Sequence, residues 1–171
     1  TLVQNGGTVS ASLTYVGAGS GGQGRYDLNG GTLNTTWSAY VGSSGTGVFN
    51  QTGGVHNVLN EFLQLGVGPT GNGTYKLSGT GVLNVAKNTV VGMRYEARGT
   101  FDQTGGTHTT SKVLVGTIGT YRLAGGVLNT GSVENFGTLH VSGGTLNTPS
   151  IDNRGTLNVV IGGSRSLATA L

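Results

Sequence analysis

Two segments of this chain carry side chains that could do chemistry near neutral pH. Residues 47 to 58 read GVFNQTGGVHNV and residues 99 to 110 read GTFDQTGGTHTT. Gln51 and His56, and again Gln103 and His108, therefore face each other across a T-G-G turn. An imidazole beside an amide could serve as a general base or hold a metal ion through a ring nitrogen. Between the two copies, residues 73 to 85 read GTYKLSGTGVLNV, with Leu77 and Leu83 at the matching places. A position filled by Leu in sister repeats is a buried position. A buried amide or imidazole without a partner costs about 1–3 kcal/mol. The structural reading is therefore that each polar residue enters because the other does, bonding to it or to the turn backbone. Gln4 has Val9 at the His position, so the backbone or a neighbouring repeat has to serve it. His56 and His108 lie two repeats apart, about 9.6 Å at strand spacing. One metal ion with ligand distances near ~2 Å does not span that gap.

The second candidate is acidic. Glu134 in VENF and Asp152 in IDNR occupy equivalent places, with Asn135 and Asn153 beside them. Stacked carboxylates could bind Ca²⁺ or act as an acid/base pair. Arg154 stands close enough to neutralise one of them, and no third acid is near, so neither a metal nor a cofactor is expected. Lys76, Asp102 and Arg122 fall on consecutive repeats and are expected to pair along a sheet. The segment GMRYEARG, residues 92 to 99, is the one turn rich in bulk and charge, and most other turns are Gly and Ser. Arg94, Tyr95, Glu96 and Arg98, with Trp37 at a corner, are the candidate recognition residues.

What must position all of these is a repeat. Aligned on a glycine doublet, seven copies end on Gly7, Gly31, Gly54, Gly81, Gly106, Gly126 and Gly144. One column reads Tyr26, Phe49, Tyr75, Phe101, Tyr121, then Leu139 and Leu157. Two residues on, Leu28, Gln51, Leu77, Gln103, Leu123, Val141 and Val159 share its face. A further column holds Val16, Val41, Leu65, Val91, Val115 and Phe136. Such short strands bury nothing alone, and stacking them about 4.8 Å apart makes a continuous core. The expectation is an all-β parallel β-helix (β-solenoid) of about seven coils of 18–27 residues with three short strands each. Variable coil lengths favour a right-handed turn, although the last two coils divide into sixes as left-handed ones do. Repeat coils run over residues 1 to 161 and residues 162 to 171 form a tail or cap, all in a single domain.

Composition agrees and sets limits. Gly supplies 35 of 171 residues, far above the usual ~7%, without the every-third pattern of collagen. Cys is absent, which excludes disulfides and thiolate metal sites. Nine Lys and Arg are scattered, so no basic patch argues for nucleic acid, and no apolar run suggests a membrane-spanning segment. The chain opens inside a repeat and stops soon after LNVVI, which leaves strand edges for other coils to cover.

Alternating G-x-F-x-Q-T-G-G and G-x-Y-x-L-x-G-G units, from Leu2 to about Ile161, resemble the β-strand repeats of large secreted bacterial proteins, including autotransporter passenger domains. The resemblance implies a right-handed β-helix at the cell surface, serving as a stalk or in adhesion, and carries over no catalytic residue. The expected function is that of an extracellular structural protein, a fibre growing head-to-tail by β-stacking with copies of itself or with flanking repeats of a longer chain. Two rivals are an adhesin that grips a surface glycan through the 92 to 99 side, and a polysaccharide-active enzyme.

Overall fold

A computed structural model describes residues 1–92 and 96–160. Every element in it is a β-strand, every strand pairing is parallel, and the seventeen strands form one continuous hydrogen-bonded system wound into a β-solenoid. Among the described residues no helix is long and apolar enough to cross a membrane.

Three ladders run the length of the solenoid. The ring ladder stacks Leu2–Gln4, Gln23–Leu28, Thr46–Gln51, Asn72–Leu77, the openings of Arg98–Val115, Gly119–Thr130 and Thr138–Asn147, and finally Thr156–Val159. The amide ladder follows the glycine doublet and begins with Thr8–Ala11, Thr32–Thr35 and Val55–Val58. It continues through the later parts of the long strands as far as Asn147. The valine ladder begins with Thr14–Val16, Ala39–Val41 and Leu63–Leu65 and ends with Val133–Asn135 and Ile151–Asn153. Tyr75 lies directly between Phe49 and Phe101 in register, so equivalent residues of successive turns are vertical neighbours.

The expected count of seven coils is reduced to about five complete turns. Only the five central turns have all three strands paired on both sides; the turns carrying Gly7 and Gly144 are terminal and lack that cover. A second correction concerns Phe136. Short coils carry Asn135, not Phe136, into register with Val115, so Asn135 is buried and Phe136 is 36% exposed beneath the Arg154 guanidinium. The expected tail, residues 162 to 171, lies outside the described residues.

Each ladder sends two files of side chains into the core, such as Phe49 and Gln51, His56 and Val58, and Leu63 and Leu65 in one turn. Tyr26, Phe49, Tyr75, Phe101 and Tyr121 stack with ring centroids 4.6–5.2 Å apart and planes within 6° of parallel. That separation is set by the strand spacing, so offset stacking comes with the fold. Each buried ring or Leu contributes about 1.5–3 kcal/mol by leaving water. Glycine closes each turn because the end of the valine ladder lies against the start of the next ring-ladder strand. A Cβ on Gly73 would stand 1.9 Å from the Val41 carbonyl oxygen, and one on Gly119 would stand 2.0 Å from that of Val91.

Candidate functional site

The two Gln–His pairs sit inside the solenoid with no exposed surface. Gln and His of a pair do not bond directly; a tyrosine from the next coil joins them. Gln51 donates its amide N–H groups to the carbonyls of Gly54 and Val82, at 3.1 and 2.9 Å. Its Oε1 is thereby turned to accept the Tyr75 hydroxyl at 2.6 Å. The Tyr75 oxygen, having given its proton away, accepts from His56 Nδ1 at 3.1 Å. Nε2 of that neutral ring is then the acceptor, facing Thr35 Oγ1 at 3.4 Å. Thr14 Oγ1 lies 2.7 Å from that hydroxyl and closes the chain.

The second copy repeats the logic. Gln103 donates to Gly106 and Val127, Tyr121 donates to Gln103 at 2.9 Å, and His108 meets Tyr121 at 2.9 Å and Thr89 at 2.9 Å. Each imidazole also stacks on the phenylalanine of its own coil, His56 on Phe49 and His108 on Phe101. Desolvation holds both imidazoles at a pKa of about 3, so they are neutral, and pushes the Tyr75 and Tyr121 hydroxyls well above their ordinary range. A neutral, sealed and fully bonded chain has no route to a substrate. It fixes the register of neighbouring coils and selects the imidazole tautomer.

The sequence contains the signal for this bridge. Tyrosine stands in the ring column where the preceding coil holds Gln (Gln4 before Tyr26, Gln51 before Tyr75, Gln103 before Tyr121). Phenylalanine stands where it holds Leu (Leu28 before Phe49, Leu77 before Phe101). Gln4 follows the rule without a histidine: Tyr26 donates to it at 2.6 Å, and its amide serves the Gly7 and Thr32 carbonyls.

Glu134 and Asp152 are neighbours in register, as the Ca²⁺ reading requires. Each is already claimed by a cation, Glu134 by Lys112 and Asp152 by Arg154. Among the described residues no three His, Cys, Asp or Glu side chains gather where they could hold a metal. Lys76, Asp102 and Arg122 are also neighbours in register, yet no ion pair closes between them. The other ion pairs on the described surface are Arg25–Asp27, two residues apart on one strand, and Lys87–Glu61 between coils. The structure therefore corrects the expected charge ladder: register places the three side chains in line without bringing their charged ends together.

Of the recognition candidates, Glu96 and Arg98 are exposed, Trp37 is 52% exposed, and Arg94 and Tyr95 lie outside the described residues. Trp37 precedes the valine-ladder strand Ala39–Val41, whereas Glu96 and Arg98 follow the valine-ladder strand two coils further on. The register does not bring Trp37 beside Glu96 or Arg98.

The amide ladder carries a structural file. Asn57 donates to Asn34 and Asn84 donates to Asn57, both at 2.9 Å, and Asn147 donates to Asn129 at 2.8 Å. Thr109 interrupts the column and shows that a shorter side chain fits. Asn57→Thr should therefore cost no more than about 1 kcal/mol, read as a lower urea midpoint at unchanged slope.

One surface feature was not legible in the sequence. Phe62, Gln64, Gly66, Val67, Asn88, Val90 and Leu114 line a groove of about 220 Å³ on the outer face of the valine ladder. Its residues are scattered over 53 positions and come together only through the register.

Fold and interior together define a parallel β-solenoid repeat protein. No family model matches the chain, and neither a curated protein nor a solved structure is similar to it at a significant level.

Proposed function

We propose that this chain is a structural segment or subunit of an extracellular bacterial fibre, right-handed, lengthened by stacking coil upon coil. It has no catalytic role in this reading. The observation that carries the reading is the unbroken parallel register, in which the strand edges of each turn are the template for the next. Leu2–Gln4, Thr8–Ala11 and Thr14–Val16 are each paired on one side only. Leu2, Val3, Val9, Leu13 and Tyr15 are 39–54% exposed, and all but Val3 line a depression of about 390 Å³. Unpaired strand edges with apolar side chains are a template for another coil. Preceding residues of the same chain or a second copy would meet that need. In the second case the contact is head-to-tail and does not close. The interior suits a rod: the register is continuous, and the Gln–Tyr–His chains resist slippage between coils.

Negative-stain electron microscopy and light scattering over a concentration series test the reading. Filaments one solenoid wide, with scattering that rises with concentration, are the expected result. Leu2→Lys and Val159→Lys should each abolish them while leaving the circular dichroism spectrum unchanged. A monomer at every concentration, with no filaments, would overturn the polymer. The glycan-binding rival is favoured by a separate observation, the groove on the valine-ladder face.

A further inference from the structure

The valine-ladder groove brings two amides without a partner in the described chain, Gln64 and Asn88, to one apolar depression. Elsewhere, asparagines that meet in register bond to one another: Asn29 with Asn5, Asn57 with Asn34, Asn84 with Asn57, Asn135 with Asn153, Asn147 with Asn129. Gln64 and Asn88 have no such rung. Gln64 lies between Tyr40 and Val90 in register, and Asn88 is paired with Lys112, so neither amide has another amide beside it. Both are half-buried, and no hydrogen bond of either side chain closes within the described chain. The rest of the lining is apolar, Phe62, Val67, Val90 and Leu114 with Gly66.

Among the described residues no charged side chain lines the groove. The nearby charges are committed to each other, Lys87 with Glu61 and Lys112 with Glu134. Lys87 Nζ also caps the Phe62 ring at 5.6 Å. A ligand matched to such a lining is neutral, has one apolar face and carries hydrogen-bonding groups at its edge. At about 220 Å³ the space is smaller than the roughly 300–1,000 Å³ of sites for drug-sized molecules, so it takes a single ring. A neutral hexopyranose has those properties: its C–H face meets Val90, Leu114 and Phe62, and its hydroxyls meet the two amides. Tyr15 and Tyr40, next along the same column, stack on each other at 4.9 Å.

We propose that this groove binds one neutral hexose unit of a glycan, with Gln64 and Asn88 as the hydrogen-bonding residues. The site lies on the side of the rod, on the outer face of the valine ladder. It therefore stands or falls independently of end-to-end growth.

Equilibrium dialysis tests it, because free saccharide can be read whether the chain is monomeric or fibrous. The probes are maltotriose, cellotriose and laminaritriose at millimolar concentration, with trigalacturonate as the charged control and cyclohexanol as the control for a bare apolar hole. The expected result is saturable binding of at least one neutral trisaccharide, and exclusion of trigalacturonate. Gln64→Leu with Asn88→Ala should weaken binding at least tenfold, the loss expected for two hydrogen bonds, with the thermal unfolding midpoint unchanged. Three results would each overturn the proposal: no neutral trisaccharide bound, binding that the double variant leaves intact, or cyclohexanol retained as well as the sugars.

Discussion

Gln51→Leu alone should destabilise the solenoid by about 3–5 kcal/mol, whereas Gln51→Leu, His56→Leu and Tyr75→Phe together should cost no more than about 1–2 kcal/mol. The single change deprives the Tyr75 hydroxyl of its acceptor and the Gly54 and Val82 carbonyls of a donor, all in a place water does not reach. Tyr75→Phe alone should be comparably damaging, because it strands Gln51 Oε1 and the His56 Nδ1–H together. The triple change removes the stranded side-chain groups at once. It also recreates a set the chain already uses one coil further on, where Leu77, Leu83 and Phe101 occupy the same three places. Thr35 keeps the Thr14 hydroxyl as a partner. Urea unfolding of the singles and the triple measures the coupling. A triple variant as unstable as the sum of its singles would show that the chain of bonds does not act as a unit.

Acidification should unfold this protein from the inside. His56 and His108 titrate near 6.5 in an unfolded chain and at about 3 when buried. Between those values the unfolded state takes up protons that the folded state refuses, so stability falls as pH falls. Each imidazole removes roughly a kcal/mol or more per pH unit through that window, with no contribution above pH 6.5. Asp27 is held below its ordinary carboxylate range by hydrogen bonds from Arg25 and Asn50, and it adds its loss only in the most acid part of the range. The stretch from 6.5 down to about 4 therefore belongs to the two histidines. The denaturant midpoint should drop steeply there, and the triple variant should show about half the slope. A midpoint indifferent to pH over that range would mean that the imidazoles are not sealed as the structure has them.

The same residues show how far the sequence reaches. Columns of Leu, Val, Tyr and Phe at repeat spacing were enough to specify parallel coils, three strands per turn and the buried face, because a side-chain period of two leaves one choice of interior. The Gln and His were recognisable as buried because they replace Leu. Their partner was marked only indirectly, by Tyr following Gln in the ring column, since the bridging tyrosine is 24 residues from Gln51 in one copy and 18 from Gln103 in the other. Unequal coil lengths also concealed that Asn135 rather than Phe136 turns inward, and that two of the seven repeats make incomplete turns.

Periodicity by itself thus determined the class of fold, since equivalent residues have to stack if short strands are to bury anything. Only the tertiary structure decided which polar atoms meet, which charges stay apart and where an open groove remains. Those outcomes depend on side-chain ends that differ by a few ångströms between coils, and a repeat written in residue types does not record them.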